Sequence, residues 1–146
     1  MPLSDIFKRR LIKVGLESKT RNEVFEELVE TIIGAYPNFD RRELIEALLF
    51  RENRMNTAIL PGVAVPHGYC NAIGGIIGAV GFSRAGIEYG CREPVHSVFM
   101  LLMDGSSPEH HLRVLSRLLE LLKSESFTML RTARNAQEAY NILYQF

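Results

Sequence analysis

Six consecutive apolar residues, Val98-Phe99-Met100-Leu101-Leu102-Met103, limit most tightly what this chain can fold into. A strand alternates its side chains between two faces, so a run with no polar residue must be covered on both sides. Val95 to Met103 is therefore expected as a central strand between two layers of helix. Helical periodicity supplies the layers. Thr20-Arg21-Asn22-Glu23 has capping-box spacing, and behind it Val24, Phe25, Leu28, Val29, Ile32 and Ile33 recur at helical intervals up to Gly34. Pro37 breaks the chain, and Asp40 to Glu43 starts a second helix with Leu44, Ile45, Leu48 and Leu49 inward. Ser107-Pro108-Glu109 opens a third, its proline and acid both favoured in a first turn, with Leu112, Leu115, Leu118, Leu119 and Leu122 as the apolar stripe. Ser126 to Thr132 and a segment capped by Asn135, with Ala139, Ile142 and Leu143 inward, complete the helices.

The remaining strands are shorter. Leu11 to Val14 reads as an edge strand, and Ala72 to Phe82 as a strand whose glycines let a helix pack close. That glycine-rich run spells neither G-x-G-x-x-G nor a P-loop, which argues against a nucleotide cradle. Strands alternating with helices predict a single α/β domain over residues 1–146, a mixed sheet with helices on both faces.

Composition narrows the partners. Lys+Arg and Asp+Glu both count 17, giving zero net charge, whereas nucleic-acid binding usually needs a basic excess. No apolar run approaches a membrane span and no signal-peptide layout opens the chain, so a cytoplasmic protein without membrane insertion is expected. Two cysteines, Cys70 and Cys91, are too few for a disulfide framework.

The chemistry concentrates in Pro61-Gly62-Val63-Ala64-Val65-Pro66-His67-Gly68. Pro66 has no N–H to donate to a ladder, so His67 is expected to leave a strand end, with Gly68 admitting a partner's backbone to the imidazole. A neutral imidazole on a rigid corner is a nucleophile or base near neutral pH; the plainer alternative is a turn with a half-exposed histidine. Arg51, seven residues after Leu44, falls at the C-terminal end of the second helix. There it is either a cation favoured by the helix dipole or a guanidinium held for an anion. At about 100° per residue, His111 lies in line with Leu115, Leu118 and Leu122, whereas His110 falls a quarter-turn away. His67 with Cys70 and Cys91 with His96 form unlike pairs that match no four-ligand zinc pattern.

Arg51-Glu52, Thr57, Val63-Ala64-Val65-Pro66-His67-Gly68 and His111-Leu112 together resemble the enzyme IIA domain of the fructose, mannitol and nitrogen-regulatory branch of the bacterial phosphotransferase system. The resemblance implies that His67 accepts a phosphoryl group from the histidine phosphocarrier protein. It implies that Arg51 clamps the phosphate and that His111 serves as a neighbouring donor or proton partner. Thr57 either donates a hydroxyl hydrogen bond or shapes the loop. No metal or cofactor is required if these groups supply the charge. The group then passes to a cysteine of a IIB domain, or the phosphorylation state governs binding to regulatory target proteins. A regulatory binding module without catalysis is the rival reading. Docking is expected on an apolar patch of Ile59, Leu60 and Tyr69; the alternative is that Ile59 and Leu60 face the core.

Overall fold

In the computed structural model, which describes residues 2–146, strand β6 (Val95–Met103) is the centre of a six-stranded mixed sheet. It pairs antiparallel with β5 (Ile76–Ile87) on one side. On the other it pairs in parallel with two short pieces, β3 (Val63–Ala64) and β4 (His67–Tyr69). β1 (Ile12–Lys13) joins β5 in parallel at one edge, and β2 (Ala58–Leu60) joins β3 antiparallel at the other. Alternation along β6 divides the core. Val98, Met100 and Leu102 meet α1 (Arg21–Ala35) and α2 (Arg41–Glu52). Phe99, Leu101 and Met103 meet α3 (Pro108–Leu122), α4 (Glu125–Arg131) and α5 (Ala136–Tyr144). Each such side chain contributes roughly 1.5–3 kcal/mol through burial, so both layers are needed to hold the strand.

The helix starts follow their caps. Glu23 donates its amide to the Thr20 hydroxyl (3.3 Å) while its carboxylate accepts from Thr20 N–H (3.1 Å). Asp40, Ser107 and Asn135 accept first-turn amides of α2, α3 and α5 in the same manner. α3 is rotated relative to the expected leucine stripe: Val114, Leu118, Leu121 and Leu122 are buried, while Leu112 is 63% exposed. The buried face thus runs 111, 114, 118, 121, with His111 at its N-terminal margin. The glycines of β5 also admit something other than a helix. A Cβ on Gly78 would lie 2.6 Å from the Phe7 ring, and one on Gly81 would lie 2.6 Å from Leu16. It is the N-terminal segment that packs there.

The break between β3 and β4 delivers the histidine. Val65 turns its N–H to the Thr57 carbonyl (2.9 Å), and Pro66, which has none to offer, accepts from Leu101 N–H (2.9 Å). The ladder resumes at His67, opposite Leu101. His67 therefore opens a strand instead of leaving one. Gly68 is buried, and the backbone that approaches it belongs to α2: a Cβ there would sit 2.7 Å from the Ala47 carbonyl carbon and 2.8 Å from its oxygen. The expectation that Gly68 admits a partner is corrected accordingly, because this chain's own helix fills the space. Gly68→Ala should force β4 and α2 apart at a cost of about 3 kcal/mol, lowering Tm by roughly 10 °C. A variant that melts with the wild type would show that the helix yields freely.

Candidate functional site

His67 Nδ1 lies 3.0 Å from the Val65 carbonyl oxygen, which can only accept, so Nδ1 carries the proton. This leaves Nε2 with its lone pair. Burial lowers the imidazole's pKa. The Val65 bond works against that shift, the charge of Arg51 lowers it further, and Glu52 opposes. At neutral pH the ring is neutral and nucleophilic.

His111 stands in the first turn of α3 with its ring centroid 6.2 Å from that of His67, the planes at 61°. Its Nδ1 is 3.2 Å from the Tyr69 hydroxyl, and its Nε2 is buried without a hydrogen-bond partner. Burial lowers the pKa of His111 too, and His67 adds to the effect. Both histidines bind protons more readily unfolded than folded. Their contribution to stability is therefore complete above the ordinary histidine value of 6.5 and is lost as pH falls from there through the folded pKa. Urea melts at about pH 7.5 and about pH 5.5 should show a larger loss for the wild type than for His67→Gln. Equal losses would mean that His67 titrates alike in both states.

Arg51 sits in the last turn of α2, with Nη1 donating to the Met55 carbonyl (2.8 Å). That bond turns the guanidinium across the loop that leads to Thr57. Thr57 itself is 2% exposed and occupied. Its N–H donates to Glu52 Oε2 (2.7 Å), and its hydroxyl donates to Glu52 Oε1 (2.6 Å), 2.8 Å from the Tyr89 oxygen. Tyr89 O–H also reaches Glu52 Oε1 at 3.2 Å. With its hydroxyl proton engaged, Thr57 has no donor left for an anion; in this arrangement it shapes the loop. Glu52, Thr57 and Tyr89 form a buried knot, and no motif or period in the sequence singles out Tyr89. Glu52, five residues before Thr57, is with Thr57 the part of the knot that the motif contains.

Other polar candidates lie elsewhere. His110 shares with His111 the wall of a cleft of about 60 Å³ beside Tyr69, but its ring joins no partner of the site. Cys70 is buried in the α1–α2 layer and donates its thiol to Glu43 (3.1 Å); exposed Cys91 donates to the Glu93 carbonyl. Among the described residues no group of three or more His, Cys, Asp or Glu side chains is arranged to hold a metal ion, and no helix is long and apolar enough to cross a membrane. Ile59 and Tyr69 are exposed as expected for docking, whereas Leu60 is half-buried against the core. Phe50 and Leu112, next in sequence to Arg51 and His111, and Met55, whose carbonyl anchors Arg51, add exposed apolar surface.

The mixed sheet between two helical layers is a IIA-type fold, and on it His67 stands beside the ring of His111 and under the charge of Arg51. The chain belongs to the family described as phosphoenolpyruvate-dependent sugar phosphotransferase system, EIIA 2, whose family model matches residues 5–146. It is 30% identical over 146 residues to a nitrogen regulatory protein of Bradyrhizobium diazoefficiens, covering 98% of this chain and 95% of that one. It is 33% identical over 127 residues to the fructose-specific EIIABC component of Bacillus subtilis. That match covers 86% of this chain but only 20% of the much longer relative. The crystal structure of nitrogen regulatory protein IIA-Ntr from Neisseria meningitidis superposes with a TM-score of 0.86 at 26% identity, covering 97% of this chain and 98% of that one.

Proposed function

We propose that this protein is a cytoplasmic phosphoryl carrier that accepts a phosphoryl group on His67 Nε2 from the phosphohistidine of the histidine phosphocarrier protein. The observation that carries the reading is the Nδ1 bond to Val65, which leaves Nε2 as the free nucleophile. The Nε2 lone pair attacks phosphorus in line, and the P–N bond to the donor ring breaks. A donor ring protonated on its other nitrogen departs as neutral imidazole, keeping the electron pair. His67 retains its Nδ1 proton, and the Val65 carbonyl stabilises the positive character that the phosphorylated ring acquires. Arg51 faces the equatorial oxygens, and His111 Nε2–H donates to one of them. Charge is thus met by fixed donors on α2 and α3, with no metal or cofactor called for in the step.

For the output, the end-to-end match to a relative named nitrogen regulatory protein favours phosphorylation-dependent binding of target proteins. The match to one fifth of a fructose-specific EIIABC component supports a second reading, transfer onward to a IIB cysteine. Incubation with phosphoenolpyruvate, enzyme I and the phosphocarrier, followed by intact mass, tests the first step. One phosphoryl increment, labile to acid, is expected. An unmodified chain, or an acid-stable adduct, overturns the reading. Addition of a purified IIB domain then separates the two outputs, since only a transport carrier discharges onto it rapidly.

A further inference from the structure

We propose that Tyr69 is a positioning residue for transfer: its hydroxyl donates to His111 Nδ1 and so presents His111 Nε2–H to the phosphoryl group on His67. The proposal rests on the reading of His67 as acceptor. Side chains two apart on a strand share a face, so His67 and Tyr69 project from β4 together. His111 lies over both, its ring centroid 6.2 Å from His67 and 6.0 Å from Tyr69. The Nδ1 edge of the imidazole is taken by the phenol at 3.2 Å, and the Nε2 edge is buried with nothing bound to it. Of the two possible directions for this bond, only one suits an incoming anion. If Nδ1 donated to the phenol oxygen, Nε2 would turn a lone pair on phosphoryl oxygens that can only accept. If the phenol donates, Nε2 carries the proton, and its missing partner is the phosphoryl oxygen itself.

The tyrosine is held for this task from behind. Gly105, at φ +76° in the turn after β6, lies so close that a Cβ there would be 3.3 Å from Tyr69 Cδ1. The phenol is otherwise 56% exposed, so its hydroxyl is not fixed by core packing. A merely structural role for Tyr69 would therefore leave transfer untouched, and a docking role would act independently of His111.

A double-mutant cycle separates these cases. Transfer from the phosphorylated phosphocarrier is measured for the full chain and for Tyr69→Phe, His111→Ala and the double variant, each checked for an unchanged melt. Tyr69→Phe should slow transfer about tenfold in the wild-type background and within about twofold when His111 is already alanine. In histidine-15N-labelled protein at about pH 8, where imidazoles are neutral, the His111 Nδ1 resonance should be that of an unprotonated acceptor and should move in Tyr69→Phe. An equal penalty in both backgrounds, no penalty at all, or a proton on Nδ1 in the wild type overturns the proposal. If the wild type takes no phosphoryl group, the reading of His67 fails, and the resonance alone decides whether Tyr69 holds His111.

Discussion

His67→Ala is expected to abolish the phosphoryl mass increment while leaving the cooperative melt in place. The loss should be complete because, among the described residues, no other side chain combines its three properties. Its ring is neutral by burial, its proton is parked on Nδ1, and its Nε2 is unencumbered. His111 is the nearest rival, but with its Nδ1 accepting from Tyr69 its Nε2 carries the proton and has no lone pair to attack with. His96 has the same Nδ1 contact with a carbonyl, that of Ser83, but it is exposed and lies near the opposite end of β6, without a second histidine beside it among the described contacts. The fold should survive because His67 contributes one backbone bond and a half-buried ring, worth about 1 kcal/mol, while the β4–β6 ladder is made by main chain. Intact mass after incubation with the donor proteins, with a thermal melt alongside, checks both halves. Phosphoryl label remaining on a folded His67→Ala chain would sink the assignment.

Local periodicity and cap chemistry carried most of the architecture. The run Val98–Met103 had to be central, and Thr20, Asp40, Ser107 and Asn135 each begin a helix where their side chains can accept an orphan amide. What stayed hidden depends on distance along the chain. Tyr89 lies 37 residues from Glu52, and no period or motif joins a tyrosine near the end of β5 to a carboxylate at the end of α2. The bond between Tyr69 and His111, 42 residues apart, is equally silent in sequence. Gly68 was legible as a place needing no side chain, but the sequence could not say whether a partner or Ala47 fills the gap. On α3 the abundance of leucines blurred the stripe: Leu112 fits a helical repeat yet faces solvent, because the helix docks through Val114, Leu118 and Leu121.

Arg51 and Glu52 are neighbours whose removal should have opposite signatures. The Arg51 guanidinium has five N–H donors, and the Met55 carbonyl is the one acceptor it engages among the described residues. The others remain for the oxygens of a phosphoryl group in flight. Arg51→Gln should slow transfer by about 10²–10³-fold, comparable to losing one preorganised donor to developing charge, with under about 1 kcal/mol lost in stability. Glu52 is instead 4% exposed and accepts from the Thr57 N–H, the Thr57 hydroxyl and the Tyr89 hydroxyl. Glu52→Ala strands the Thr57 N–H and one of the two hydroxyl protons in the interior, the other hydroxyl bonding across the 2.8 Å between Thr57 and Tyr89. That should cost about 3 kcal/mol and roughly 10 °C in Tm. Transfer should fall as well, because the loop holding Met55, and with it Arg51, is tethered at Thr57. Adding Arg51→Gln to Glu52→Ala should then slow transfer by less than it does alone, since the guanidinium is already misplaced. Melts and single-turnover transfer on the two single variants and the double variant supply every term. Fully additive losses in transfer would mean that the buried knot supports the fold without steering the arginine.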